Sequence, residues 1–325
     1  MDKPRIFSDF CALIQQKCPA IFSGVTEPLA NAFERACAGS RFPGFWLEMP
    51  LQGAMHTDLF VQYWKSDLID DCSLSGDGFG YQPLFSWFAA EGDPKAGIAL
   101  SVDILEDGSA NAAAAYNVNR SGLDAADAFF TACRTPEAIP LLHRTISSLP
   151  ADWHPWYISA VWNRPERFCR ADCFIPAKDI TEPCLLSRYL EKLGYTFDTG
   201  QICAFASELV SMGFRPEIQI DRLLDGSMRK TLNLSANVSG QPQAIRRSFT
   251  EGAGAALVSL LRSRGMADER AEQIGKAAFS AAVPDKYSAN NSGNTGIVVK
   301  PVFIKTVWTN GLPQTAKVYV ECLTF

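Results

Sequence analysis

The segment Pro216–Val238, PEIQIDRLLDGSMRKTLNLSANV, places an Asp-Gly pair between two stretches that alternate between polar and apolar residues. In the first stretch Glu217, Gln219 and Asp221 alternate with apolar neighbours, and Thr231–Asn237 alternates in the same way. A period of two is typical of a strand with one apolar face. Asp225-Gly226 tolerates the positive φ angles of tight hairpin turns. The segment therefore predicts an antiparallel hairpin with one polar face.

Four more hairpins are predicted along the chain. Asp107-Gly108 and Asn310-Gly311 mark two of them, and Gln52–Met55 and Asn163–Glu166 form longer connections in the others. The segments between the hairpins carry apolar residues at i, i+3 and i+4, which predicts amphipathic helices. These helices are expected at Ile6–Cys18, Glu27–Cys37, Gln82–Ala90, Leu123–Cys133, Glu137–Leu149, Leu185–Leu193, Gly200–Met212, Ala244–Arg264 and Asp268–Ala281.

The element order decides the fold class. Strands in tight antiparallel pairs exclude parallel α/β folds, which need a helix between successive strands. Ten strands that close on themselves leave no exposed edge, and the last strand is placed to pair with the first. We expect one α+β domain over residues 1–325, a ten-stranded antiparallel β-barrel inside a ring of about ten helices, with (αα)ββ repeated five times. An open sheet with helices on one face is the alternative, and it would leave an edge at Val318–Leu323.

Composition narrows the function classes. The net charge of −5 and the lack of a dense Lys/Arg run disfavour a nucleic-acid partner. No apolar stretch reaches the length of a membrane span, and Met1–Cys11 lacks the apolar centre of a signal peptide. We therefore expect a cytoplasmic protein without a membrane partner. Its ten scattered cysteines indicate free thiols, and three separated histidines disfavour a zinc site.

The polar strand faces predict a ligand-binding lumen. In a barrel wrapped by helices the apolar faces point outward, so the polar residues point inward. Burying so many polar side chains without partners would cost roughly several kcal/mol each, which favours a solvated cavity over a packed core. Cations on separate strands can converge on a diphosphate. The expected cations are Arg170, Lys305, Lys317 and, at a strand mouth, Arg229.

Aromatic residues and one carboxylate complete this set. Aromatic walls stabilise a carbocation and keep water away from it, as the ionisation of an allylic diphosphate requires. Glu48 is predicted to take the proton that the acceptor loses, or to accept a hydrogen bond from an indole N–H. The aromatic residues expected to face the lumen are Trp46, Trp64, Tyr116, Phe174, Phe303 and Tyr319.

The chain resembles the ABBA, or PT-barrel, superfamily of soluble aromatic prenyltransferases. The likeness is strongest in Arg167–Phe174, similar to the family's sixth strand, and in Leu185–Ser239, similar to its fourth repeat. Glu48 resembles the glutamate with which indole-modifying members position the acceptor, and Lys317-Val-Tyr319 resembles the Lys-x-Tyr pairs of the diphosphate site. The resemblance implies transfer of a dimethylallyl or geranyl group from an allylic diphosphate to an indole, another aromatic or another nucleophilic acceptor.

Two departures from the family pattern bear on the donor site. Indole-modifying members often carry Arg-x-Lys-x-Tyr where this chain has Arg170-x-Asp172-x-Phe174, and the fourth strand offers alanines instead of a lysine. A Mg²⁺ ion held by Asp58, Asp103 or Asp172 would compensate for the missing cations, although no cofactor is expected to be essential.

Other functions stay open at this point. The many lumenal carboxylates suit a cationic or N–H-rich acceptor, so a peptide side chain is an alternative acceptor. A non-catalytic barrel that carries a hydrophobic ligand is a second alternative, but such a carrier would not need Arg170, Lys305 and Lys317 to converge.

Overall fold

The computed structural model describes residues 3–22, 24–37, 44–68, 79–118, 125–164, 166–284 and 294–324. Its strands are β1 (Gly44–Pro50), β2 (Asp58–Trp64), β3 (Gly97–Ile104), β4 (Ala110–Asn117), β5 (Pro155–Val161), β6 (Phe168–Phe174), β7 (Pro216–Leu223), β8 (Thr231–Asn237), β9 (Phe279–Pro284), β10 (Asn294–Thr309) and β11 (Leu312–Thr324). Its α-helices are α1 (Lys3–Lys17), α2 (Glu27–Cys37), α3 (Gln82–Glu91), α4 (Ala126–Ala132), α5 (Ala138–Ser148), α6 (Ala177–Thr181), α7 (Leu185–Leu193), α8 (Gly200–Ser211), α9 (Pro242–Glu251) and α10 (Ala253–Ser263).

Ten of these strands form a closed antiparallel barrel. Each of β1 to β7 pairs with the next strand, β8 pairs with β10, β10 pairs with β11, and β11 pairs with β1. At the closing seam Leu47 lies opposite Val320 and Met49 lies opposite Val318. The seam confirms the predicted barrel and excludes the open sheet. Strand β9 stands outside the ring and pairs with the first part of β10.

The outward strand faces form the core with the helices. Phe45 of β1 contacts Phe7 of α1 at 5.2 Å and Phe33 of α2 at 5.4 Å between ring centroids. All three side chains are buried, and burying a phenylalanine contributes about 1.5–3 kcal/mol. This packing leaves the inward faces free to be polar. No helix of the described residues is long and apolar enough to cross a membrane.

The hairpin turns lie together at one end of the barrel, because successive hairpins run in the same direction and the helical connections return at the other end. Asn310 and Gly311 both have positive φ, as a primed two-residue turn requires. At the two Asp-Gly turns only the glycine has positive φ. There the aspartate side chain accepts from the backbone N–H two residues on, at 2.9 Å for Asp107 and 2.8 Å for Asp225.

The helix predictions differ from the structure in three places. The short helix α6 was not predicted. The helix expected over Ala244–Arg264 is divided at Gly252, which has an extended backbone. The helix expected over Asp268–Ala281 is a 3-10 helix, Glu269–Ala277, followed by β9. Pairing of β9 with β10 overrides the local helical pattern there.

Candidate active site in the barrel lumen

The inward faces enclose a cavity of about 380 Å³. It opens toward the hairpin end, where Arg164 of the β5–β6 turn and Arg229 of the β7–β8 turn are both about a quarter exposed. Pockets that bind small ligands commonly have volumes of roughly 300–1,000 Å³. The polar lumen predicted from strand alternation is therefore a cavity and not a packed core.

An aromatic layer closes the inner end of this cavity. Trp46 stacks on Phe60 at 4.8 Å between ring centroids and lies 5.7 Å from Phe303. Phe303 reaches Trp156 at 5.8 Å, and Trp156 reaches Phe174 at 5.2 Å. These five rings cross the lumen from β2 to β6. Ring faces at the floor of a pocket can hold an apolar or cationic group away from water.

Above this layer lies the lysine–glutamate cluster, made of Glu48, Lys305, Lys317 and Tyr319. Lys317 Nζ donates to Glu48 Oε1 at 2.5 Å, and Lys305 Nζ donates to Glu48 Oε2 at 3.3 Å. Lys305 also donates to the Tyr319 hydroxyl. Sequence reasoning predicted all four residues to face the lumen, and β1, β10 and β11 bring them together at the closing seam.

The charges of the cluster depend on one another. Burial opposes ionisation of Glu48, but Lys305 and Lys317 outweigh it, and the pKa of Glu48 lies well below its usual range. Burial also disfavours both ammonium groups and lowers the pKa of Lys305. For Lys317 the attraction of Glu48 and Asp58 outweighs burial and raises the pKa. Glu48 is therefore a carboxylate that serves as the counterion of two lysines.

The two arginines expected in the lumen lie on the β6–β7 side. Arg170 Nε and Nη2 donate to the two carboxylate oxygens of Asp221 at 2.7 and 2.9 Å. Arg229 Nη1 lies 3.4 Å from the same carboxylate, and its Nε donates to Glu166 at 2.5 Å. Asp221, which is completely buried, fixes both guanidinium groups on this wall. Bidentate pairing of this kind holds an arginine in one orientation.

A pair of carboxyl groups occupies the same wall closer to the aromatic layer. Asp172 of β6 and Glu217 of β7 line the cavity and are buried. Burial is the main cause that raises the pKa of Asp172, to about 7, with nearby Asp221 adding to it. The pKa of Glu217 is raised well above its usual range by burial and by Asp172. The two groups therefore do not both carry a full charge at neutral pH.

Three of the predicted aromatic residues do not line the cavity, and one of them, Phe174, packs against the Trp156 ring instead. Tyr116 faces the helices, where its ring centroid lies 5.7 Å from Trp87 and 5.6 Å from Phe129. Its prediction as a lumenal residue was wrong, because Ala113 and Ala115 take the inward positions of β4. Trp64 shares the face of Phe60 but lies opposite Gly97, beyond the aromatic layer.

Trp156 and the contacts of Glu217 were not predicted from the sequence. The pairing of β5 with β6 shifts register between Pro155 and Tyr157. This irregularity brings both Trp156 and Tyr157 to the cavity. A strict period of two cannot place two consecutive residues on one face, so no pattern in the sequence marked Trp156.

The carboxylates expected to hold Mg²⁺ are not brought together. Asp58 lies 3.5 Å from Lys317 Nζ, and Asp103 lies 2.5 Å from Arg164 Nη2. Asp172 is on the opposite wall, beside Arg170. Within the described ranges no three His, Cys, Asp or Glu side chains are grouped so that they could hold a metal ion. The residues present therefore do not fit the magnesium site expected from them.

Comparison with known proteins identifies the architecture. No protein-family model matches the sequence, and no curated protein matches it. Solved structures match over nearly the whole chain at low identity. The 6-dimethylallyltryptophan synthase of Micromonospora olivasterospora, in complex with DMASPP and Trp, is 8% identical with a TM-score of 0.59 and covers 98% of this chain and 97% of its own.

Two further solved structures agree with this match. The 5-dimethylallyl tryptophan synthase of Streptomyces coelicolor is 10% identical, with a TM-score of 0.55 over 98% of this chain and 94% of its own. Prenyltransferase PriB, in a ternary complex with L-tryptophan and dimethylallyl thiolodiphosphate, is 13% identical, with a TM-score of 0.53 over 97% of this chain and 95% of its own. The chain thus has the ABBA-type barrel fold of the aromatic prenyltransferases.

Proposed function

We propose that this protein transfers a prenyl group from an allylic diphosphate to an aromatic acceptor inside the barrel lumen. The observation that carries the proposal is the position of the lysine–glutamate cluster directly beside the aromatic layer. Lys305 Nζ lies 4.8 Å from the centre of the Tyr319 ring, and that ring lies 6.4 Å from Phe303. Solved structures of the same fold hold tryptophan together with a dimethylallyl diphosphate analogue, which supports this assignment.

The donor diphosphate would bind to Lys305, Lys317 and the Tyr319 hydroxyl. Both lysines now bind one carboxylate, Glu48, and a diphosphate offers more negative charge and more acceptor oxygens than that carboxylate. Arg170 and Arg229 on the other wall add positive potential. Ionisation breaks the bond between the allylic carbon and its oxygen, and the diphosphate leaves with the electron pair, stabilised by these cations.

The aromatic layer would hold the allylic cation and the acceptor. Trp46, Phe303 and Trp156 present ring faces or edges to the cavity. Such faces stabilise a delocalised cation through the ring quadrupole and exclude the water that would quench it. The new bond forms between the allylic carbon and a nucleophilic atom of the acceptor.

Glu48 would take the proton that the acceptor then loses. While two ammonium groups hold it, its pKa is low and it is a weak base. A diphosphate that engages Lys305 and Lys317 weakens both ion pairs and raises the basicity of Glu48. Donor binding therefore prepares the base, and no metal ion takes part in this scheme.

The length of the prenyl chain and the class of acceptor are proposed from the shape of the same cavity. Because the aromatic layer limits its depth, dimethylallyl diphosphate is the proposed donor ahead of geranyl diphosphate. A peptide side chain is the alternative acceptor, since the mouth of the cavity is open at the hairpin end. A carrier of a neutral hydrophobic ligand would not need the buried ammonium of Lys305.

The cysteines of the described residues are free thiols, which suits the cytoplasm.

Product formation tests the proposal. The protein is incubated with dimethylallyl, geranyl or farnesyl diphosphate, with and without Mg²⁺, against indole, phenol and peptide acceptors. Mass spectrometry is expected to show an acceptor that has gained one dimethylallyl group, with or without the metal. If no acceptor is modified with any donor while the donors also fail to bind, the proposal is wrong.

A further inference from the structure

Asp172 and Glu217 both line the cavity, and each carries a buried carboxyl oxygen that lacks a partner. Their strands are adjacent: Asp172 lies opposite Gln219, and Glu217 lies opposite Phe174. Asp172 is 8% exposed and Glu217 is 3% exposed. Asp172 Oδ1 and Glu217 Oε2 are buried atoms without a hydrogen-bond partner in the part of the chain that the structure describes.

Folding alone does not explain this pair. A buried acceptor without a partner costs about 1–3 kcal/mol, and such a group in a folded protein calls for an explanation. The neighbouring cations are engaged elsewhere, since Arg170 donates to Asp221 in a bidentate pair and Lys305 donates to Glu48. One neutral donor, the Trp156 indole N–H, lies beside Glu217 and acts to lower the pKa of that carboxyl group, but it makes no hydrogen bond of ordinary geometry among the described residues. The two carboxyl groups therefore keep unsatisfied acceptor capacity.

We infer that Asp172 and Glu217 form a subsite for a positively charged nitrogen group of the acceptor, a guanidinium or an ammonium. The inference rests on the proposed function, because it names the class of acceptor for the same lumen. A nitrogen cation supplies N–H donors to both oxygens and compensates the charge that they carry once ionised.

The surroundings of the pair favour a cation over a neutral donor. Burial disfavours ionisation of both carboxyl groups, and the negative charge of Asp221 adds to this for Asp172, as that of Asp172 does for Glu217. A bound cation would oppose these effects. The rings of Trp156 and Phe174 lie beside the subsite. The same Phe174 ring already has the Arg215 guanidinium 3.9 Å from its centre, which shows that this part of the wall accommodates a cation over a ring.

The position of the subsite also suits the proposed donor site. Asp172 and Glu217 lie on β6 and β7, whereas Lys305 and Lys317 lie on β10 and β11. Only strand β8 lies between β7 and β10, and Lys305 is close enough to favour ionisation of both carboxyl groups. An anionic donor and a cationic acceptor can therefore lie side by side in the lumen. The aromatic layer lies below both of them.

Calorimetric binding of two matched probes tests the inference. Benzylguanidine is cationic, and benzylurea is its neutral counterpart of nearly the same shape. The wild-type protein should bind benzylguanidine roughly tenfold more tightly or better, as expected for hydrogen bonds to charged groups. Asp172→Asn and Glu217→Gln should each remove most of this preference. Glu321→Gln, which removes a carboxylate beyond the aromatic layer, should retain it.

Binding of dimethylallyl thiolodiphosphate separates this inference from the proposed function. Both subsite variants should bind it as the wild type does, because the lysine–glutamate cluster is intact. Equal wild-type affinity for the two probes, or a preference that survives in both variants, would overturn the subsite even if a neutral indole is prenylated. A guanidinium preference that the variants remove supports the subsite even if prenyl transfer fails. Thermal melting identifies any variant that does not fold. In that case the affinities of the wild-type protein for benzylguanidine and benzylurea decide whether the subsite exists.

Discussion

Glu48 and Lys317 lie on the two strands that close the barrel, and the Lys317 ammonium donates to Glu48 Oε1 at 2.5 Å. Lys305 holds the other carboxylate oxygen at 3.3 Å. The residue proposed as the base is therefore also the counterion of the residues proposed to bind the donor. Donor binding and proton removal are linked through these contacts, and each can be perturbed separately.

Lys317→Ala should reduce kcat/KM for dimethylallyl diphosphate by roughly 100-fold or more, because the donor loses a charge-assisted contact made in the transition state. Steady-state kinetics with mass-spectrometric product detection measures the effect. Lys300→Ala is the matched control, since Lys300 pairs with Glu321 outside the cavity and its loss should change the rate little. Full activity of Lys317→Ala would show that the diphosphate binds elsewhere.

Glu48→Gln should separate donor binding from turnover. The variant keeps the shape of the side chain but frees both lysines from their counterion, so dimethylallyl thiolodiphosphate should bind about threefold to tenfold more tightly. Product formation should fall by roughly 10²–10⁴-fold because the proton acceptor is lost. Calorimetry and product assays give the two values. Weaker donor binding in this variant would contradict the competition between Glu48 and the diphosphate.

The Asp172 carboxyl group predicts a pH dependence of stability. Burial raises its pKa from 3.8 to about 7 in the folded protein. A raised pKa stabilises the fold below pH 4, and this contribution is lost as the pH rises toward 7 and above. In Asp172→Asn this pH-dependent contribution is absent, so between pH 4 and pH 8 the free energy of unfolding of the variant should rise by about 4 kcal/mol relative to that of the wild type.

Urea unfolding at several pH values measures this difference. Glu251→Gln on α9 is the control, because Glu251 is exposed and pairs with Arg247 one turn earlier in the same helix. Its stability relative to the wild type should stay constant over the same range. A constant difference for Asp172→Asn as well would mean that the Asp172 carboxyl group is not perturbed by burial.

Phe303→Ala should change the donor preference. Phe303 connects Trp46 to Trp156 in the aromatic layer, so its truncation joins the cavity to the space beyond the layer. The ratio of kcat/KM for geranyl over dimethylallyl diphosphate should rise by roughly tenfold, as expected when a longer apolar chain gains room in a pocket. Competition between the two donors in one reaction measures the ratio directly. An unchanged ratio would show that the layer does not limit the donor.

Tyr116→Leu tests the orientation of β4. Because the Tyr116 ring packs among Trp87, Phe88 and Phe129 in the helix layer, its loss should destabilise the fold by about 1–3 kcal/mol. The KM values for donor and acceptor should stay within about twofold, since the side chain does not reach the cavity. A large rise in KM without loss of stability would show that the Tyr116 side chain faces the lumen.

Much of the fold follows from local signals in the sequence. Asp225-Gly226 and Asn310-Gly311 mark hairpins because few residues tolerate the backbone angles of their turns. The alternation of Glu217, Gln219 and Asp221 with apolar residues fixes which face meets the helices. Given five antiparallel hairpins, closure of the barrel is the arrangement that leaves no strand edge exposed.

The wrong or missing site predictions lie where the local sequence pattern does not show which way a side chain points. Strand β4 is a run of alanines before Tyr116, and alanine fits either face, so alternation could not orient the tyrosine. Trp156 lies at a register shift that depends on the partner strand. Glu48 pairs with two lysines on strands far from it in sequence, and Asp172 Oδ1 is unpartnered among the described residues because of how β6 and its neighbours are arranged. Such relations exist only once the barrel has closed.

A crystal structure of the protein with dimethylallyl thiolodiphosphate tests the proposed donor site most directly. The diphosphate oxygens should lie within hydrogen-bond distance of Lys305 Nζ and Lys317 Nζ, with the allylic carbons against the aromatic layer and Glu48 released from at least one lysine. Diphosphate bound only at the mouth, at Arg164 and Arg229, with the ion pairs of Glu48 intact, would contradict this donor site.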